Sequence, residues 1–198
     1  MGGGCFDTSA VTSMIGMFAY TTTFNDPVTM DTSAVTDMNG MFYLAESFNN
    51  SVPMDTSSVT NMEIMFGGAS AFNQPLAWDT SSITKMGGMF VNDDAFNQPL
   101  AWDTSSVTDM SGMFSGTAAF NQPLAWNTSS VTNMENMFFL ASAFAQELDV
   151  WDVGAVTDFD TMFQNSRMRA EAVSGGPALA APAASTTRGR RKTPGGTR

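Results

Sequence analysis

A 24-residue unit recurs along this chain, and a fixed period of this length restricts the fold more than any other feature of the sequence. The Asp of an Asp-Thr-Ser turn returns every 24 residues, at Asp7, Asp31, Asp55, Asp79 and Asp103, with Asn127 in the sixth place. The Met-Phe pair keeps the same step from Met17-Phe18 to Met137-Phe138; one residue is then inserted, and the seventh unit begins at Asp152. One such unit cannot bury its apolar side chains alone, so the repeats predict a single domain of stacked units.

Each unit combines segments with different apolar spacing. In the unit that begins at Asp79, the segment Ile83-Thr84-Lys85-Met86 is rich in β-branched residues and predicts a short strand. In the preceding unit, five apolar residues have helical spacing and predict one or two helical turns: Met62, Met65, Phe66, Ala69 and Phe72. Pro75 then ends the predicted helix, and Leu76 and Trp78 predict a second extended piece.

Stacking would align equal positions of successive units into columns, so Trp78, Trp102 and Trp126 are predicted to lie in register. The predicted fold is an α/β repeat solenoid of about seven 24-residue coils. A parallel sheet of Val-Thr-x-Met strands is expected on one side and short Met-Phe helices on another. A column of Asn residues near the Pro corner is interpreted as structural, satisfying backbone groups there: Asn25, Asn49, Asn73, Asn97 and Asn121.

Charge is distributed unevenly and divides the chain in two. Residues 1–166 hold one Lys and eighteen acidic residues, a net −17, whereas residues 167–198 hold seven Lys and Arg and one Glu, a net +6. We therefore predict a repeat domain over 1–166 that does not bind nucleic acid, and a disordered, basic Pro/Gly/Ala-rich tail over 167–198. There is no His and one Cys, and no apolar run reaches the length of a transmembrane span. The start, Met1–Phe6, lacks the regions of a signal peptide.

The repeated words also resemble a known family. The segment AFNQPLAWDTSSVTDMSGMF, residues 95–114, closely resembles the repeats of the BspA-like leucine-rich-repeat surface proteins, a motif also catalogued as a mycoplasma-type lipoprotein repeat of unknown function. Phe-Asn-Gln-Pro-Leu, Trp-Asp-Thr-Ser, Val-Thr-x-Met and Met-Phe recur in fixed order over about residues 7–166. The resemblance implies a leucine-rich-repeat-like solenoid, display at a cell surface or secretion, and binding of proteins or extracellular matrix.

Catalysis is not expected, because like residues recur at like positions and would stack along the axis rather than converge on a cleft. No cofactor or metal is predicted. Asp93-Asp94 stands where other units have small residues; a solvated loop is the favoured interpretation and a cation site the alternative. Asp158 with Asp160 is a second acidic pair. A cation site is also the alternative for the Asp of each Asp-Thr-Ser turn from Asp7 to Asp103, where turn capping is favoured.

The predicted binding face lies along the Val-Thr-x-Met segments. If Val points inward, Thr points outward, and the x residue differs from coil to coil without cost to the core. The candidate partner-binding residues are Thr36, Asp37, Thr60, Asn61, Thr84, Lys85, Thr108, Asp109, Thr132 and Asn133. We expect a neutral or basic protein or matrix partner, with end-to-end self-association as a further possibility. The alternative function is ordering of water or ice by the Thr column.

Overall fold

The computed structural model describes residues 7–168, which form seven coils stacked in register. Coils 1 to 5 have 24 residues each and coil 6 has 25, because one residue is inserted before Trp151. The coils are 7–30, 31–54, 55–78, 79–102, 103–126, 127–151 and the described part of coil 7, 152–168. The tail predicted to be disordered lies outside the described residues from 169 onward, as do residues 1–6.

The predicted α/β solenoid with a parallel sheet and short helices is wrong. Residues 7–168 contain no helix and no sheet. The Val-Thr-x-Met segments contribute only isolated parallel bridges, one between each pair of successive coils, from Ser13–Asp37 to Asn133–Asp158. The coils are therefore held together by single bridges, by further backbone hydrogen bonds from one coil to the next and by side chains, rather than by continuous strands.

The helical prediction for the Met-Phe segment fails because two residues per coil have left-handed backbone. In coil 3 these are Ile64, with φ of 48°, and Gly68, with φ of 70°. Such residues reverse the sense of the turn, so the i to i−4 hydrogen bonds of an α-helix cannot form. The equivalent pairs elsewhere are Gly16/Tyr20, Gly40/Leu44, Gly88/Asn92, Gly112/Gly116, Asn136/Leu140 and Thr161/Asn165.

The backbone hydrogen bonds of the same segment alternate between local turns and the next coil. The amides of Met65 and Gly67 donate within coil 3, to the carbonyls of Met62 at 3.3 Å and Ile64 at 3.0 Å. The amides of Ile64 and Phe66 donate to coil 4 instead, with N···O distances of 2.8 and 2.9 Å. The apolar spacing of 3 and 4 residues therefore reflects successive tight turns, each of which places a side chain in the interior. Every second amide of the segment donates to the following coil.

The interior is built from aromatic and Met columns. Phe90, Phe114 and Phe138 stack with ring centroids 5.7 and 5.6 Å apart, and a second Phe column lies beside them. The predicted Trp column is confirmed: Trp78, Trp102 and Trp126 stack at 6.4 and 6.2 Å with nearly parallel rings. Each fully buried ring contributes roughly 1.5–3 kcal/mol by leaving water.

Polar side chains close the contacts between coils. Thr32 is buried and its hydroxyl donates to the Asp55 carbonyl in the next coil at 2.9 Å. Asn97 Oδ1 accepts the Asn121 amide at 2.9 Å and Gln122 Nε2 at 3.1 Å. The Asn column therefore satisfies backbone at the corner, as predicted. These bonds repeat from coil to coil, so each coil is positioned by its neighbour.

Candidate functional site

The predicted Thr column forms one continuous row on the outside of the stack. Thr36, Thr60, Thr108 and Thr132 are exposed and Thr84 is partly exposed. Each hydroxyl donates to the carbonyl of the Thr in the preceding coil, at 3.1 to 3.2 Å. The same carbonyl accepts the Thr amide at 2.9 Å. Each hydroxyl of the row therefore has a backbone acceptor in the preceding coil.

The x residues beside the Thr column lie opposite one another, because the bridges between coils are formed by these residues themselves. They are only partly exposed at Asp37, Asn61, Asp109 and Asn133. At each of these four, a side-chain oxygen accepts the amide two residues on, at 2.8 to 3.0 Å. Asp and Asn at the x position thus cap a turn, which is a local role outside the core.

Lys85 is the exception in the row of x residues. It is exposed, and its Nζ lies 4.0 Å from Glu63 Oε2, with the Lys side chain 55% exposed. A solvent-exposed pair at this separation contributes little to stability. Lys85 therefore places one positive charge in the middle of an otherwise acidic or neutral row, with Asn61 on one side and Asp109 on the other.

The Asp residues that begin the coils form a separate exposed row of turn caps. In coil 4, Asp79 Oδ1 accepts both the Ser81 hydroxyl at 2.7 Å and the Ser81 amide at 3.0 Å. The hydrogen bond from the Ser hydroxyl, followed by that from the amide, lowers the pKa of the carboxyl at Asp7, Asp31, Asp55, Asp79 and Asp103. Asp158 likewise accepts the Asp160 amide at 2.9 Å. Residues 7–168 bring no three His, Cys, Asp or Glu side chains together as metal ligands.

Two segments of the chain, residues 4–100 and 77–175, match the family DUF285, described as a Mycoplasma protein of unknown function. The chain belongs to this family. No match was found among curated proteins or among solved structures. In the part of the chain that the structure describes, no helix is long and apolar enough to cross a membrane.

One carboxylate of this DUF285 protein lies where a solvated loop was expected. Asp93 is fully buried, and neither side-chain oxygen has a hydrogen-bond partner among the described residues. Burial raises the pKa of Asp93 to about 8; the nearby amides of Ala95 and Phe96 oppose this shift without forming hydrogen bonds of good geometry, and Asp94 adds to it. Asp93 is therefore a neutral acid at neutral pH.

The burial of Asp93 follows from its place in the coil. Ala69 and Thr117 hold the equivalent positions in the neighbouring coils, and both are fully buried. The Thr117 hydroxyl donates a hydrogen bond to the Phe114 carbonyl at 2.6 Å. The available signal in the sequence was that Asp93 aligns with Ala69 in the repeat, at a position that follows the Met-Phe pair by a fixed interval.

A second feature that the sequence interpretation missed is an exposed apolar group on coil 1. Ile15, Met17 and Tyr20 are 59%, 50% and 70% exposed. The equivalents of Met17 in coils 2 to 6 are all fully buried: Met41, Met65, Met89, Met113 and Met137. The difference arises because no described coil precedes coil 1.

Proposed function

We propose that this member of the DUF285 family is a non-catalytic binding module whose Thr and x rows contact a protein partner. The observation that carries the proposal is the direct adjacency of the x residues through the bridges between coils. Seven coils of one design place different side chains at equal intervals along one line. An extended, regular surface of this kind suits recognition of another macromolecule better than it suits a small substrate.

Charge supports a neutral or basic partner. Asp37 and Asp109 lie in the row, and residues 1–166 carry a net −17. An acidic surface accelerates association with a basic protein, and salt weakens that effect. Lys85 lies at the centre of this acidic or neutral row, so a partner would meet a positive charge there and negative charges at Asp37 and Asp109.

The resemblance of the repeats to those of BspA-like surface proteins supports a finer version of the proposal. In that version the protein is displayed at a cell surface or secreted, and its partner is a matrix or host protein. The membership of DUF285 is compatible with this version and is neutral on the partner.

The decisive experiment is a binding screen against collagen, fibronectin and laminin with the double variant Asp37→Asn/Asp109→Asn. Asn is the natural residue at the equivalent positions 61 and 133, where its side-chain oxygen caps the turn as Asp does. The variant therefore removes two charges and keeps the local hydrogen bonds. We expect weaker binding and a smaller dependence of affinity on salt.

The matched control is Asp55→Asn/Asp79→Asn, which removes two charges from the turn row, where Asn127 already caps coil 6 in the same way. It should leave affinity nearly unchanged. A ligand that binds both double variants equally would place the binding surface elsewhere and overturn the proposal.

The regular Thr row favours a second candidate, a protein that orders water or ice. One Thr per coil lies in this row at equal steps, and its hydroxyl oxygen can still accept hydrogen bonds from water. Thermal hysteresis that disappears in Thr60→Leu/Thr108→Leu would support this function. Its absence in the unaltered chain would eliminate it.

A further inference from the structure

The two ends of the stack carry complementary backbone groups. Inside the stack, every second amide of one coil donates to the following coil, as Met38, Gly40, Phe42 and Leu44 of coil 2 donate to coil 3. Each inner coil thus uses four amides on its following side and four carbonyls on its preceding side. The terminal coils have only one described neighbour each, so one set on each coil has no partner among residues 7–168.

At coil 1, the carbonyls of this set accept no hydrogen bond from the described residues: Ser13, Ile15, Met17 and Ala19. At coil 7, the amides of the set donate none within the same residues: Phe159, Thr161, Phe163 and Asn165. The equivalent groups of neighbouring coils pair at close to 2.9 Å, for example Phe138 N with Met162 O. Four donors at one end therefore match four acceptors at the other in number, spacing and direction.

Side chains at the two ends are also complementary, because coil 7 carries a larger side chain where coil 1 carries an uncovered glycine. Within the stack, a bulky left-handed residue packs on a glycine of the following coil: a Cβ on Gly88 would lie 2.8 Å from Ile64 Cγ2. Thr161 of coil 7 occupies the place of Ile64, and Gly16 of coil 1 occupies the place of Gly88. A Cβ on Gly16 would meet only Ala19 within 4 Å, at 3.7 Å. The glycine slot of coil 1 is thus open.

The apolar columns also stop at open faces. Phe18 and Phe24 of coil 1 are partly buried, whereas Phe42 and Phe48 of coil 2 are fully buried. At the other end Phe163 stacks on Phe138 at 5.8 Å and is itself only partly buried. Placing coil 7 of one copy before coil 1 of another would continue both the hydrogen-bond rows and the Phe column.

We propose that a second copy of this chain docks on the coil 1 face through its own coil 7, in head-to-tail register. The contact is heterologous, because different surfaces of the two copies meet, and it leaves one free end of each kind. Repetition would therefore build open filaments rather than closed dimers. The inference is independent of the proposed function, since the Thr and x rows lie on the outside of the stack and remain accessible.

Charge repulsion opposes this contact, so self-association should depend on salt. Both copies are strongly acidic, so their repulsion must be screened before the end faces meet. We expect the weight-average mass of the full chain to rise with protein concentration. It should rise further as NaCl increases from about 0.05 to about 0.5 M, where the Debye length falls below about 5 Å. Sedimentation velocity measures both effects.

Two variants that each add one negative charge test the polarity of the contact. Met17→Glu alters the coil 1 face at a half-exposed side chain, and Thr161→Glu alters the coil 7 face at an exposed one. Met17→Glu should weaken self-association about 100-fold, because the equivalent Met residues of coils 2 to 6 are fully buried and docking would bury an unpaired carboxylate. Thr161→Glu should weaken it about 10-fold, because its equivalents Ile64 and Asn136 are only partly buried. Ser106→Glu adds the same charge to an exposed position on coil 5 and should associate like the unaltered chain.

The mixture of the two end variants is the sharpest measurement. Met17→Glu keeps an intact coil 7 face and Thr161→Glu keeps an intact coil 1 face, so the equimolar mixture should form 1:1 dimers and stop there. Circular dichroism at each salt concentration verifies that both variants remain folded. A chain that stays monomeric at all protein concentrations and salt concentrations overturns the proposal, as does a mixture of the two variants that fails to pair.

Discussion

Coil 1 and coil 5 contain the same Met-Phe pair and surround it differently. Met113 and Phe114 are fully buried, because coils 4 and 6 cover them on both sides. Met17 is 50% exposed and Phe18 is only partly buried, because coil 2 covers one side alone. Since the side chains are identical, the comparison shows that burial in this protein is supplied by the neighbouring coils and not within a coil.

Position 93 shows the same dependence for a polar residue. Its equivalent in coil 1, Thr21, is partly exposed and donates its hydroxyl to the Phe18 carbonyl at 2.6 Å. In coil 4 the position is covered from both sides, and Asp93 has no hydrogen-bond partner among the described residues. A carboxyl that coil 1 would leave near water is thus held neutral in coil 4.

The first prediction concerns Asp93→Ala, which places at this position the residue found at Ala69 and Ala141. Between pH 4 and pH 8 the unfolded carboxyl, with its ordinary pKa of 3.8, has lost its proton, whereas the folded one retains it up to about pH 8. The contribution of the protonated carboxyl to the free energy of unfolding is therefore fully present below about pH 4, and it is lost as the pH rises from 4 to about 8. From pH 4 to pH 8 the variant should gain roughly 5 kcal/mol in free energy of unfolding relative to the unaltered chain.

Urea unfolding at several pH values measures this gain. Asp94→Ala is the matched control, because Asp94 is exposed and contributes the smallest part of the shift. That control should keep most of the pH dependence. Parallel pH profiles for Asp93→Ala and the unaltered chain would show that position 93 is accessible to water, and the contrast between coils 1 and 4 would fail.

The second prediction compares Phe114→Ala with Phe18→Ala. Phe114 stacks on Phe90 and Phe138, so its loss leaves a cavity and should cost about 3–5 kcal/mol. Phe18 has one neighbouring coil and its loss should cost about 1–2 kcal/mol, in proportion to the smaller apolar area removed from water. Chemical denaturation of the two variants gives both numbers. Equal costs would indicate that coil 1 is covered in solution, and concentration dependence of the Phe18→Ala value would identify a second copy as the cover.

The third prediction compares Asn97→Ala with Asn25→Ala. Asn97 Oδ1 accepts the Asn121 amide in a partly buried corner, so its loss should cost about 1–2 kcal/mol. Asn25 Oδ1 accepts the Asn49 amide at 2.8 Å at an exposed corner, where water replaces the lost acceptor, and about 0.5 kcal/mol is expected. Thermal unfolding resolves the difference. A larger loss at Asn25 than at Asn97 would contradict the comparison.

Much of the architecture could be predicted because residues at equal positions of the repeat occupy equal places in successive coils. The 24-residue step aligns Trp102 with Trp126, whose rings stack, and Asn97 with Asn121, whose amide donates to Asn97 Oδ1. This alignment does not depend on the path of the chain between them. The Asp-Thr-Ser turns could also be predicted, since Asp79 and Ser81 interact within three residues and need no tertiary contact. The exposed Thr row followed from the buried Val beside it, for example Val107 beside Thr108.

The helices could not be rejected from spacing alone. Met62, Met65 and Phe66 satisfy a helical pattern, yet the same pattern arises when turns alternate with left-handed residues such as Ile64. A β-branched residue with positive φ is disfavoured on its own. It is held there because its amide bonds to Gly87 and its side chain packs on Gly88, both in the following coil.

The sequence alone was therefore sufficient for the period, the columns and the local turn caps, because these depend on identity between units or on residues two positions apart. Only the tertiary structure decided the path between the columns, the burial of Asp93 and the exposure of Met17. In each case the physical reason is the same. Half of the backbone hydrogen bonds of the Met-Phe segment, and the water exclusion around its side chains, come from an adjacent coil that lies 24 residues away along the chain.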